Sequence, residues 1–226
     1  MKRPITTLFL MISLDGKIST GATDDLDVDK DFPNIVGVKE GLHQYYEIER
    51  TTDLWSINSG RVMAKIGVNY LPFPEKRDVS FVIIDNSHLT LHGVEYFSKL
   101  AKSFVLVTSN TTHAVYKTKA DNVNIIYQKA FDPAEMLSRI HEDYGCDRIT
   151  IQTGGTLNEI FLRAKLLDYV DIVIAPVLIG GKDTSSLIDG YSLLSKSELD
   201  KLGVLNLEEC TVLKDSYVRL RYKVVS

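Results

Sequence analysis

Residues 148–181, RITIQTGGTLNEIFLRAKLLDYVDIVIAPVLIGG, carry three structural signals in a row and leave few folds open. Residues 149–152 alternate like the end of a strand, and Thr153, Gly154 and Gly155 then interrupt the pattern. Leu157, Ile160, Phe161, Ala164 and Leu167 follow at spacings of three and four, which places them on one helix face. Residues 169–176 are apolar and β-branched, so a buried strand is expected there. The order is strand, glycine turn, helix, strand.

That order has a chemical consequence. The first turn of a helix leaves backbone N–H groups unpaired, and the helix dipole makes them attractive to anions. Glycines just before it let a phosphate approach the backbone with no Cβ in the way. Two readings stay open on spacing alone: a site for the phosphates of a dinucleotide, or an ordinary strand–helix turn. The six-residue Gly-x-Gly-x-x-Gly fingerprint is absent.

Composition narrows the function classes. The chain has 226 residues, 44% of them hydrophobic, enough for a substantial core. Its 26 basic and 30 acidic side chains give a net charge of −4, with no basic patch, which argues against nucleic acid as a partner. Cys146 and Cys210 have no motif spacing, so neither a disulfide framework nor a zinc knuckle is expected. A reducing cytoplasm is the expected setting. Residues 8–12 are apolar but short, and Asp15 and Lys17 follow at once; they read as a first strand and not as a signal peptide. No apolar run approaches the ~20 residues that a membrane span needs.

Strands are expected at residues 5–12, 53–57, 79–84, 103–107, 123–127, 149–152 and 169–176, and a hairpin at 204–213 and 217–225 around Lys214-Asp215-Ser216. Helices are expected at 39–51, where Leu42, Tyr45, Tyr46 and Glu49 share a face, and from residue 62 to 66. Asp132-Pro133-Ala134-Glu135 reads as a helix start closed by a capping box, with the helix running to Tyr144 and stopped by Gly145. Residues 187–202 look loosely helical, and the acidic run 21–31 looks like a solvated loop or a flap. The pattern predicts one α/β domain over 1–226 with a mixed sheet of about eight strands.

Several strands end in polar clusters: 13–17, 58–61, 85–87, 108–110 and 153–158. In open α/β sheets ligands bind beyond the carboxyl ends of the strands, so these ends together point to a nucleotide site. Arg61 is either a bidentate phosphate ligand or a surface arginine. Lys17 is either a proton or hydrogen-bond donor or a solvated turn residue. Asp15 orients Lys17, serves as an acid–base group, or simply forms the turn. The histidines at 43, 88, 92, 113 and 141 share no metal spacing, and no role or metal is assigned to them. No Gly-x-Ser-x-Gly elbow supports covalent hydrolysis.

Three motifs, in order, carry a resemblance. Ser13-Leu14-Asp15-Gly16-Lys17-Ile18, Thr153-Gly154-Gly155-Thr156-Leu157-Asn158 and Ala175-Pro176-Val177-Leu178-Ile179-Gly180-Gly181 resemble the reductase domain of bifunctional riboflavin-biosynthesis proteins. The resemblance implies a dihydrofolate reductase-like three-layer sandwich with a mixed, mostly parallel sheet and a C-terminal antiparallel hairpin. It implies an NADPH-dependent reductase that passes hydride to C1′ of a ribosylaminopyrimidine phosphate, and a homodimer. Cofactor phosphates are expected on Gly154, Gly155, Thr156, Leu157 and Asn158 and on Ser59, Gly60 and Arg61. Asn86 is expected at the adenosine half, with Thr108 and Ser109 near the 2′-phosphate. Lys17 matches a lysine held against the ribose, with Asp15 as its catalytic neighbour and Ser13 and Gln152 on the substrate side.

The chain also departs from the family. Gln152 replaces a glutamate, Arg61 a threonine and Lys65 an aspartate. The Asp-Pro-x-Leu-x-x-Arg segment, whose arginine holds the substrate phosphate, is not recognisable in residues 66–77, which leaves Lys76 and Arg77 as stand-ins. A reductase of this fold with another substrate, or a nucleotide-binding protein without turnover, are the alternative readings; Gln152 favours the latter. A true dihydrofolate reductase is disfavoured, since no acidic helix follows the first strand and Trp55 is the only tryptophan.

Overall fold

The structure, a computed structural model, describes residues 2–225; Met1 and Ser226, the ends of the expected domain, lie outside the described residues. It divides into two compact units, one built from residues 2–4 and 53–153, the other from 5–52 and 154–225. Among the described residues there are nine strands, one for each of the nine segments read from the sequence, against the rounded expectation of about eight: β1 (Ile5–Ser13), β2 (Trp55–Ser59), β3 (Ser80–Ile84), β4 (Phe104–Thr108), β5 (Val123–Tyr127), β6 (Arg148–Gln152), β7 (Tyr169–Ala175), β8 (Leu205–Val212) and β9 (Val218–Val224). The α-helices are α1 (Val28–Asp31), α2 (His43–Glu49), α3 (Gly60–Lys65), α4 (Leu91–Leu100), α5 (Pro133–Tyr144) and α6 (Gly155–Arg163).

In the unit of residues 53–153 five strands run parallel in the order β5-β4-β3-β2-β6. Parallel strands are covered on both faces, which is why Phe104, Val105 and Leu106 are all fully buried despite pointing alternately to opposite sides. Helix α4 lays Val94, Phe97 and Leu100 against Ile83, Phe104 and Leu106. Thr90 caps it by accepting from Gly93 N–H at 3.4 Å. At α5 the expected capping box is closed differently. Asp132 accepts from Ala134 and Glu135 N–H, but its own N–H goes to Gln128 Oε1 at 3.2 Å and not to Glu135. Gly145 ends that helix in the left-handed region, φ 65°, as expected.

In the other unit β1 and β7 are parallel, and β7-β9 and β9-β8 are antiparallel. Phe9, Met11 and Val173 meet Phe32, Leu42 and Tyr45 in its core, with Phe9 and Tyr45 stacked at 5.2 Å. The acidic run is a solvated loop only in its first half: residues 22–26 are exposed, and the chain turns inward from Asp27. Asp27 is buried and caps α1 by accepting from Asp29 N–H, and Val28 and Phe32 enter the core. Asp31 accepts from Thr20 and from Asp27 N–H.

Residues 187–195 form no helix, contrary to expectation, and Lys196–Lys201 is a 3₁₀ turn with a Ser195–Glu198 capping box. None of its residues is buried, so no apolar stripe rewards a longer helix. The C-terminal hairpin turns through Asp215 and Ser216, both left-handed at φ 55° and 65°. This is the type I′ geometry, which favours glycine. Ser216→Gly is therefore expected to stabilise the protein by about 1 kcal/mol, read as a higher urea midpoint at unchanged slope. An unchanged midpoint would show that the turn is unstrained.

Candidate active site

Strand β1 ends at Ser13, whose fully buried hydroxyl donates to Asp15 Oδ1 at 2.6 Å and accepts from Lys17 N–H at 2.8 Å. Asp15 also accepts from Ile179 N–H at 3.0 Å and Gly180 N–H at 2.6 Å. The Ser13 hydroxyl first, then these N–H groups, hold the Asp15 carboxyl down at about 2. At neutral pH it carries no proton to give. It acts as an acceptor that ties the 13–17 turn to the glycine pair ending the third motif. Lys17 is half-buried, and its Nζ donates to Thr184 O at 2.8 Å.

Helix α6 begins at Gly155, with Gly154 extended before it and no side chain capping the first turn. Its first N–H groups are therefore not used by a capping side chain. Gly155 is required by contact: a Cβ there would lie 2.3 Å from Ser186 O and 2.4 Å from Asp189 Oδ2. Asp189 N–H donates to Gly155 O at 3.1 Å, and Asn158, fully buried, donates from Nδ2 to Leu187 O at 2.8 Å. The other edge of this segment faces the lysine turn: Ile18 N–H donates to Ser185 O and Leu187 N–H to Gly16 O, both at 3.0 Å. Residues 184–189 thus form a strap with Lys17 on one side and the α6 start on the other. Thr156 is exposed at that start and Leu157 half-buried.

The second group of expected residues lies in the unit of residues 53–153. Ser59 caps α3 by accepting from Val62 N–H at 3.3 Å. Gly60 is forced by the Asp85 carboxyl, whose carbon would lie 2.2 Å from an added Cβ. Arg61 is exposed on the first turn. Beyond β3, Asn86 Oδ1 accepts from Thr108 Oγ1 at 3.0 Å, Ser109 N–H at 2.8 Å and Ser109 Oγ at 3.0 Å. Asn86, Thr108 and Ser109 are therefore one cluster at the carboxyl ends of β3 and β4.

Gln152 belongs to a neutral relay: Asn58 Nδ2 donates to Ser56 Oγ at 2.8 Å, which donates to Gln152 Oε1 at 2.9 Å. An amide accepts here as a carboxylate would, without charge. Lys76 and Arg77, the stand-ins for the missing substrate-phosphate arginine, lie away from the Asn86 cluster. Arg77 N–H donates to Leu100 O, and both precede β3, at the edge opposite Asn86 and roughly 17 Å of strand away. Cys146 is buried, and burial pushes its thiol up to about 12, which rules it out as a nucleophile.

Sequence reasoning missed Thr184, Asp189, Asp85 and His113. The first two lie past the third motif, Asp189 inside the stretch 187–202 that looks loosely helical and Thr184 ahead of it, and nothing local marks them. Asp85 stood out as a turn residue, but its partner His113 is 28 positions away.

The model of the RibD C-terminal domain family matches residues 4–213. A 2,5-diamino-6-ribosylamino-4(3H)-pyrimidinone 5′-phosphate reductase of Methanothermobacter thermautotrophicus is 25% identical over 196 residues, spanning 84% of this chain and 86% of its own. A protein of the same name from Archaeoglobus fulgidus is 23% identical over 212 residues, 88% of this chain and 93% of its own. Among solved structures, a pyrimidine reductase-like protein of Corynebacterium diphtheriae superposes with a TM-score of 0.68 at 15% identity, over 99% of this chain and 92% of its own. Acinetobacter baumannii RibD gives 0.67 at 16% identity; this chain is matched over 99% of its length but spans 58% of that protein.

Proposed function

This chain belongs to the RibD C-terminal domain family, and on that premise we propose that it is a reductase of the riboflavin-biosynthesis type, using NADPH to deliver hydride to C1′ of a ribosylaminopyrimidine phosphate. The observation that carries the reading is the strap at residues 184–189. It is bonded to the Lys17 turn on one side and to the α6 start on the other, so one short segment holds the lysine and the first-turn amides together.

The residues fit the cofactor at the α6 start. First-turn amides without a capping side chain, preceded by Gly154, suit a diphosphate. The bound nicotinamide supplies the hydride; the protein supplies position and electrostatics. Lys17 gives one of its three N–H bonds to Thr184 O, and the ammonium would offer its charge to a ribose oxygen as C1′ becomes imine-like. Asp15 and Ser13 fix the turn that carries Lys17. In this reading Gln152 would offer the substrate an uncharged group in place of a carboxylate. Arg61, exposed on the first turn of α3, is proposed as a further phosphate ligand. The exposed Leu205, Leu207 and Val212 support a homodimer as the working form, to be read by light scattering. No helix among the described residues is long and apolar enough to cross a membrane, which is compatible with the cytoplasmic setting proposed for this enzyme.

The test is loss of reduced-nicotinamide absorbance with 2,5-diamino-6-ribosylamino-4(3H)-pyrimidinone 5′-phosphate. Turnover supports the reading; NADPH binding without oxidation shifts it to another substrate or to binding alone; no NADPH binding overturns it. Arg61→Ala is expected to narrow the preference for NADPH over NADH by about tenfold, the value of one charged hydrogen-bonded contact. An unchanged ratio of kcat/KM values would remove Arg61 from phosphate recognition.

A further inference from the structure

The most completely satisfied charge in the unit of residues 53–153 is Asp85, which directly follows β3. Its side chain is 0% exposed. It accepts from His113 Nε2 at 2.9 Å, His88 Nδ1 at 2.8 Å and Leu89 N–H at 2.8 Å. The N–H groups of Ser87 and His88 add 3.2 and 3.0 Å bonds to Oδ1. Burial opposes its ionisation, but the donors from His113, Leu89 and His88 outweigh that and hold the carboxyl well below the usual carboxylate range.

His113 is itself buried, with 1% of its side chain exposed. Its Nδ1 accepts from Val115 N–H at 3.0 Å, so Nε2 carries the hydrogen and gives it to Asp85. The imidazole is a fixed, directional donor. A buried carboxylate costs several kcal/mol unless fully paired, so a fold with no use for it is better served by an apolar residue.

What the carboxylate holds is specific. It closes the turn at residues 85–89, and its carbon touches Gly60 at the α3 start. That turn presents Asn86, whose Oδ1 is filled by Thr108 and Ser109. The Asn86 amide nitrogen is thereby turned away from these donors, toward the surface where Asn86 is exposed. Asn110 Nδ2 donates to Asn86 O at 2.7 Å and locks the two loops together, while His113 N–H returns to Asn110 O at 3.3 Å.

We propose that Asp85 and His113 are positioning residues for the adenosine half of the dinucleotide: their buried pair sets the turn that aims Asn86 and seats Gly60 at the head of α3. The inference rests on the cofactor reading above. Neither residue touches the ligand; they act through Asn86 and through the α3 start.

The experiment measures binding of NADPH and of adenosine 2′,5′-bisphosphate, a probe of the adenosine half alone, to the full chain. His113→Leu is expected to weaken both ligands about tenfold and to raise KM for NADPH by the same factor, with kcat at saturation within about twofold. His113→Gln keeps a donor near the Nε2 position and is expected to recover most of the affinity. Asp85→Asn serves as a second variant, with melting curves to confirm that each protein is folded. If the wild type binds both ligands and folded His113→Leu binds them equally well, the positioning role is overturned and the cofactor reading stands. The role is also overturned if His113→Gln is no better than His113→Leu, or if kcat falls with affinity unchanged. Wild-type protein that binds neither ligand overturns the cofactor reading, and this inference with it.

Discussion

Gly155→Ala is expected to lower the melting temperature by several degrees and to abolish measurable NADPH binding at micromolar protein. The added Cβ would sit 2.3 Å from Ser186 O, a backbone atom, and 2.4 Å from Asp189 Oδ2. Ser186 cannot retreat alone. It pairs with Lys17, its N–H is held by Asp189 Oδ1 at 3.0 Å, and Asp189 N–H is bonded to Gly155 O. The whole strap must shift or α6 must unwind at its first turn. Overpacking of this kind costs about 1–3 kcal/mol, and a chain of this size loses roughly 2–4 °C per kcal/mol. In the proposed cofactor arrangement the binding loss follows because the same turn carries the amides assigned to the diphosphate. Gly180→Ala is the contrasting variant: nothing lies within 4 Å of its added Cβ, and only its φ of 71° opposes the change. Differential scanning calorimetry and a fluorescence titration on both variants decide the matter; wild-type values for Gly155→Ala would mean that the strap does not bear on the helix start.

Lys17→Ala is expected to reduce kcat by about 10²–10³-fold while NADPH affinity stays within about threefold. The lysine meets the ribose in the proposed arrangement and not the diphosphate, so the two readouts separate. Loss of the bond to Thr184 O removes one of several ties to the strap, since Ile18 N–H and Leu187 N–H remain. A modest fall in stability is therefore compatible with intact cofactor binding. Pre-steady-state absorbance traces measure the hydride step directly. Equal losses in turnover and cofactor affinity would place Lys17 among the structural residues of the turn.

The strands were legible because parallel, doubly covered strands are continuous apolar runs, and runs such as that of β4 have no competing reading. Helix α4 was not: Gly93 and three aromatic or β-branched residues blur its period, and its apolar face shows only once Phe104 and Leu106 are opposite it. The 195–198 capping signal was present in the sequence, but residues 187–202 were read as one loose helix, and only burial separates the two. At the site, Ser13, Asp15, Lys17, Gly154 and Gly155 could be picked out by motif. The reason for Gly155 could not, because Ser186 is 31 positions further on. For Asp15, the sequence left acid–base and turn roles open; three short donor contacts decide for the turn. Lys76 and Arg77 are attractive by charge alone, and strand direction places them at the edge opposite Asn86.

The strap has a mechanical meaning. A tether bonded along one margin to the lysine turn and along the other to a helix tip leaves no hinge between them. Breathing that displaces the helix tip drags the ammonium along with it. In the proposed arrangement, the ammonium and the bound reductant would then keep a constant mutual spacing from one turnover to the next.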